Sequence, residues 1–344
     1  MPNILSRISA HTKAIIAVLP SGMALSHRGN PSASILLERL YGTPVLLSGL
    51  ASLVLNLNEI VAVHQLHRLT LQRIQRLFLA TPECVVMFLA GSLPASGILH
   101  LRMLGLLGMI GRLGPSNILN NHGRFILLSA NQYQTSKSWF LALRQLCHQY
   151  SLPDPLLVLQ SPLSKYQWKN LCKSKVIDWW EQKLRAEADL LPSLQHFKPS
   201  FMSLSTPHPI WTSARSPYEV GKAVVAARML SGRYRTDYLA RHWNKTNPDG
   251  LCRLPGCSNE VGNMEHILLH CQALQESRSR IVSLISSFLV SRPELFPVIF
   301  HYTMEEILLL QLLPLFISTN RAYPDTLNTD YTWKELGHLP FIAG

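Results

Sequence analysis

The residues best placed to do chemistry in this sequence lie between positions 252 and 271, in the stretch CRLPGCSNEVGNMEHILLHC. Cys252 and Cys257 are separated by four residues, His266 follows after eight more, and Cys271 after a further four. The RLPG between the first two cysteines is a turn sequence, which lets two thiolates converge on one ion. Three thiolates and one imidazole in this order suit a tetrahedral Zn2+ site. Such a site is closed and structural, with no open position for a substrate or a reactive water. His270 competes with His266 for the fourth corner. His266 is preferred, because a ligand directly beside Cys271 would be cramped. Cys84, Cys147 and Cys172 have no metal spacing and read as buried core thiols.

No other constellation supports catalysis. The chain has no Asp-Asp pair, no Walker lysine loop, no GxSxG and no HExxH. The acids after Cys271, such as Asp325, Asp330 and Glu335, are too sparse to hold two metal ions for phosphoryl chemistry. The expectation is a protein that is not an enzyme.

The elements that must position the cysteines read as helices. NEIVAVHQLHRLTLQRIQRLFLA carries apolar residues at helical spacing, with Asn58 as a candidate cap and Pro82 closing the region. GSLPASGILHLRMLGLLGMIGRL reads as a turn and then a helix, in which Gly105, Gly108 and Gly111 would allow close approach. GPSNILNNHGR is rich in turn residues and predicts a break near 114–135. Beyond it come a helix at SWFLALRQLCHQY and a longer one in SPLSKYQWKNLCKSKVIDWWEQKLRAEADL, with Ser161 as cap and Pro162 opening it. SPYEVGKAVVAARMLSGRYRTDYLARHW opens with a capping box of Ser216, Pro217 and Glu219. NMEHILLHC reads as helical, as do segments near 278–290 and 303–318.

Charge points outward to a partner. The net charge is +12, yet charged residues make up only 15% of the 344 and hydrophobic residues 47%. Residues 1–150 contain no aspartate and three glutamates, Glu38, Glu59 and Glu83, against twelve Arg and Lys. Such a balance favours nucleic acid or another anionic surface. The arginines nearest the cysteines are Arg228, Arg233, Arg235, Arg241 and Arg253, interleaved with Tyr234, Tyr238 and Trp243. Arginine neutralises phosphate and an aromatic ring can stack on a base. The competing reading is a solvated basic face with its aromatics turned to the core. GRYRTD argues for the former, since Gly232 breaks the helix and would splay Arg233 and Arg235 outward. No apolar run reaches the roughly 18 uncharged residues a membrane span requires, and AIIAVL is short for a signal-peptide core. The expected compartment is cytoplasmic or nuclear, with thiols reduced.

GRYRTDYLARHW, NPDGLCRLPGC and EHILLHC, in that order, resemble the C-terminal region of LINE-type (non-LTR) retrotransposon reverse transcriptases. Upstream, TPVLLSGLAS and LAGSLPASGILHLRMLGLLGMIGRL are similar to the segments that follow the palm in that family. The resemblance covers roughly residues 5–290 and is most specific over 228–271. It implies a post-palm, thumb-like helical segment followed by a helical domain with a CCHC zinc knuckle that holds RNA or DNA. By this resemblance the ligands are Cys252, Cys257, His266 and Cys271. Two features depart from the family. Its aromatic-Ala-Asp-Asp catalytic turn is not in the chain, and Gln272 stands where a proline usually follows the last cysteine.

The combined expectation is a mainly α chain. Residues 1–113 form a thumb-like helical segment, 114–135 a linker, 136–250 a helical basic domain, 251–272 the knuckle, and 273–344 C-terminal helices and a tail. The expected function is non-catalytic nucleic-acid binding, with one structural Zn2+ and RNA or DNA as partner. A polymerase palm on another chain is a further expected partner. The alternatives are a zinc-stabilised protein-interaction module and a non-functional retroelement remnant.

Overall fold

The structure, a computed structural model, describes residues 29–129, 138–194, 202–234, 236–240, 249–257 and 260–280, with a few isolated positions beside them. Described residues are overwhelmingly helical, and the one extended pairing is an isolated bridge between Leu251 and Val261. The mainly α expectation holds.

In chain order the helices are α1 (Pro31–Leu37), α2 (Thr43–Leu47), α3 (Leu57–Ile74), α4 (Glu83–Ala90) and α5 (Ala95–Arg112). They continue with α6 (Ile118–Leu128), α7 (Trp139–Gln149), α8 (Pro155–Gln160), α9 (Lys165–Asp189), α10 (Pro209–Thr212), α11 (Pro217–Leu230) and α12 (Asp237–Ala240). A wider π-type turn, Glu38–Gly42, joins α1 to α2.

Helix α5 is the hub, touching α3, α6, α7, α8 and above all α9. Its glycines explain how α9 comes so close. A Cβ on Gly108 would sit 2.1 Å from Trp168 Cδ1, so only glycine lets that indole lie flat on the helix. Trp168 then donates its Nε1–H to the Leu104 carbonyl at 2.8 Å, a partner any buried indole needs. A Cβ on Gly111 would likewise come too close, 2.6 Å from the Val158 carbonyl oxygen of α8. Gly105, expected to share this role, faces open space, and the unexpected third contact is Gly97 against Trp180.

Two caps fall elsewhere than expected. Asn56, not Asn58, starts α3, through a reciprocal capping box with Glu59. Ser164, not Ser161, starts α9, paired with Gln167. In each case the residue three positions ahead of a Glu or Gln wins, because the reciprocal bond satisfies two orphan N–H groups where a lone cap satisfies one. The box at Ser216 and Glu219 forms as expected.

Residues 114–135, expected to be a linker, contain α6. The polar residues that looked like a loop bridge it to its neighbours: Asn120 is buried, and its Nδ2 donates to the carbonyls of Ile110, Gly111 and Leu159 at 3.3 Å each. One apolar core runs from Ile35 to Leu230 among the described residues, with no division near 113. Cys84, Cys147 and Cys172 lie inside it, where burial pushes each thiol up to about 12. No single described helix is long and apolar enough to cross a membrane. The bent pair α4 and α5 passes by composition only when taken together, and α4 is buried from Cys84 to Ala90. Of the expected helical segment at 278–290, residues 278–280, 282 and 283 are helical and 284–290 lie outside the described residues, as does the segment at 303–318.

Candidate metal centre

The four expected ligands meet in space. One donor atom from each of Cys252, Cys257, His266 and Cys271 falls within 4.8 Å of every other, and together they could hold a metal ion. The Cys252 and Cys271 sulfurs are 3.9 Å apart, and Cys257 Sγ is 3.2 Å from His266 Nε2. Tetrahedral bonds of about 2.3 Å to sulfur and about 2.0 Å to nitrogen would place two sulfurs about 3.8 Å apart and a sulfur and a nitrogen about 3.5 Å apart. The donor set and its spacing therefore fit a small tetrahedral cation.

Local sequence explains why the donors converge. Leu254-Pro255-Gly256-Cys257 forms a tight turn closed by the Cys257 N–H donating to the Leu254 carbonyl at 3.1 Å. Proline pre-sets the first central position, and Gly256, with φ of 85°, supplies the left-handed second one, the pattern of a type II turn. The strands entering and leaving this turn pair briefly. Cys252 N–H donates to the Glu260 carbonyl at 2.8 Å and Gly262 N–H to the Gly250 carbonyl at 2.9 Å.

The other two ligands depend on an unusual helical turn. His266–His270 is π-type, and the Cys271 N–H reaches back five residues to the His266 carbonyl. An α-helix, at 3.6 residues per turn, would put positions five apart on different faces; the wider turn brings them round to the same side. His270 is exposed on that turn and lies outside the cluster, so the choice of His266 stands.

Glu260 and Asn263 complete the site, and neither was anticipated. The Glu260 carboxylate lies 2.8 Å from His266 Nδ1, which fixes the proton on that nitrogen and leaves the Nε2 lone pair facing the sulfurs. Carboxylate–histidine–metal chains orient imidazole ligands in this way. Asn263 accepts from the His266 N–H at 2.7 Å. Its signal was present in the sequence as an Asn three residues before His266, an N-cap spacing. Glu260 had no comparable signal, because only the folded turn brings it beside the ring. Burial first, and the neighbouring sulfurs after it, push the Cys252 thiol up to about 11. A cation must therefore displace protons to bind, which makes its affinity depend on pH.

The knuckle is tied to the helical body at several points. The Asp237 carboxylate accepts the Arg253 N–H at 3.1 Å, and Tyr238 N–H donates to the Gly262 carbonyl at 3.1 Å. Arg278 donates to the carbonyls of Leu268 and Cys271 at 2.8 and 2.7 Å. Met264 and Leu268 pack on the core.

The basic residues of the expected interface have different fates. Arg228 is half-buried: its Nε donates to the Arg76 carbonyl at 2.9 Å and its guanidinium sits 4.6 Å from the Phe78 ring centre. It is engaged within the body. Gly232, with φ of 62°, breaks the helix as expected, but Arg233 is not fully splayed outward: it is half-buried, and its Nε is buried without a hydrogen-bond partner. Arg253 is exposed on the knuckle and pairs with exposed Asp249 at 2.8 Å, a surface pair that water and salt weaken. Arg235 and Arg241 lie outside the described residues.

No family model, no curated protein and no solved structure matches this chain.

Proposed function

We propose that residues 251–272 form a structural Zn2+ knuckle and that the basic segment around it binds nucleic acid without catalysing a reaction. The observation that carries the zinc half is the Cys3His cluster with all four donors within 4.8 Å, three of them buried. Three soft thiolates with one imidazole favour zinc over harder cations, and four protein donors leave no coordination position for chemistry. The ion's role would be to fix the fold of a segment with little core of its own.

The nucleic-acid half is supported by charge. A net charge of +12 and the arginines Arg233, Arg235, Arg241 and Arg253 around the knuckle give a basic region suited to phosphate. Arg228, spent on Phe78 and the Arg76 carbonyl, would hold the Gly232 turn in place. The retroelement resemblance points the same way, and in that reading the N-terminal helices would lie against a polymerase palm on another chain. A second reading, a zinc-stabilised protein-interaction module, is favoured by Leu36, Leu40 and Tyr41, which stand more than half exposed at the start of the helical body.

The test is the affinity of the full chain for single-stranded RNA across a salt series, with and without a zinc chelator. Binding that falls steeply with salt and weakens on zinc removal is the expected result. A protein that holds zinc but ignores RNA at low salt would refute the nucleic-acid reading and favour the second.

A further inference from the structure

Helix α9 carries its charges in the order its own dipole disfavours. The N-terminal half, Lys165 to Ile177, holds Lys165, Lys169, Lys173 and Lys175 and no acid. The C-terminal half holds Asp178, Glu181, Glu187 and Asp189 against Lys183 and Arg185. A helix is stabilised by acids at its first turn and bases at its last, and α9 does the reverse. Lys165, Lys169 and Lys173 also follow one another at four-residue intervals, where like charges repel. All four lysines of this half are exposed, and among the described residues none has an ion-pair partner. Arg185 pairs with Glu181, and Asp178 accepts from Ser174. Nothing among the described residues accounts for this arrangement.

The row is straight. Trp168, Cys172, Val176 and Trp180 recur every four residues on the buried side of α9, so Lys165, Lys169 and Lys173, at the same interval, run parallel to that seam along its flank. The next row outward begins with Tyr166, three-quarters exposed, followed by Asn170 and Ser174. A cationic track beside a projecting aromatic ring is the recipe for a single strand: ammonium groups follow the phosphates and the ring stacks on an unpaired base.

We infer that the exposed face of Lys165, Tyr166, Lys169 and Lys173 is a docking track for single-stranded nucleic acid, separate from the knuckle. The inference rests on the nucleic-acid reading above and assigns that partner a second contact surface on the helical body.

The experiment titrates a labelled oligouridylate with the full chain across a salt series, for wild type, K165Q/K169Q/K173Q, Tyr166→Ala and Cys271→Ser. Glutamine is nearly as good a helix former as lysine, so the triple variant keeps α9, which circular dichroism verifies. Each lost phosphate contact reduces the slope of log affinity against log salt by about 0.7, so the triple variant should show a slope shallower by about 2. At about 0.1 M salt that is roughly a hundred-fold loss of affinity. Tyr166→Ala should weaken binding roughly five-fold or more with its slope unchanged. If wild type and triple variant share one slope, the track is overturned while the knuckle reading survives. If the triple variant loses binding and Cys271→Ser does not, the track stands and the knuckle reading falls. Wild type that binds no RNA overturns both, as does equal capture of polyglutamate, which would mark the row as a site for acidic protein.

Discussion

Acid should unfold this protein through three histidines that the core holds neutral. Burial pushes His67 and His208 from the ordinary 6.5 down to about 3, and pushes His100 down to about 4 with help from Lys183. In each case the unfolded state takes up a proton that the folded state refuses, so stability is complete above 6.5 and is lost progressively as pH falls towards the folded value. At about pH 5 each imidazole is about 1.5 units below its unfolded pKa, which at about 1.4 kcal/mol per unit costs about 2 kcal/mol. The three together cost about 6 kcal/mol, comparable with the whole stability of many domains, roughly 5–15 kcal/mol. The assay is urea unfolding at several pH values between about 7.5 and 5, with chelator present throughout so that metal release contributes nothing. The discriminating variant is His208→Asn. His208 Nδ1 accepts the Ile210 N–H at 3.1 Å, capping α10, and its Nε2 is buried without a partner. Asparagine can keep the cap and cannot titrate. Its loss of stability between the two pH limits should be smaller than wild type's by about 2 kcal/mol. If the two proteins lose stability in parallel, the buried imidazole is not the group being charged and the reasoning fails.

Adding a methyl group at neighbouring glycines of α5 should have opposite effects. Gly108→Ala drives a Cβ to within 2.1 Å of Trp168 and should cost about 1–3 kcal/mol of overpacking, whereas Gly105→Ala meets open space and should gain up to about 1 kcal/mol of helix propensity. Denaturant midpoints at fixed slope would show it, and a loss at both positions would contradict the packing. Cys271→Ser should abolish stoichiometric metal binding, read as loss of the tetrahedral absorption bands of bound Co2+, while the thermal transition of the core persists because its buried residues, Ile35 to Leu230, all lie outside the knuckle, which adds only the partly buried Met264 and Leu268. Retained bands would remove Cys271 from the ligand set. Glu260→Gln should weaken metal affinity about ten-fold, the low end of such second-layer effects, because its carboxylate is more than half exposed. An unchanged dissociation constant in chelator competition would show that Glu260 does not orient His266.

What the sequence made legible was whatever local chemistry decides. The ligand set could be read because turn residues and donor types are encoded within twenty positions, and Pro255-Gly256 specifies its turn with no help from elsewhere. The capping box at Ser216 was readable for the same reason. The misreadings share an opposite cause. Asn120 looks like a loop residue until the carbonyls of Ile110 and Gly111 from α5 and of Leu159 from α8 are brought around it. Arg228 reads as a phosphate ligand in the sequence, and nothing there signals that Phe78, far back in the chain, lies 4.6 Å from its guanidinium. Polar side chains are ambiguous in one dimension, because the same amide or guanidinium can serve solvent, a ligand or a distant carbonyl, and only the fold selects among them. The lysines of α9 were equally visible in the sequence. So was the long helix that carries them, and with it a charge order opposed to the macrodipole; what only the fold supplies is the buried seam of Trp168, Cys172, Val176 and Trp180, which leaves Lys165, Lys169 and Lys173 on one exposed flank.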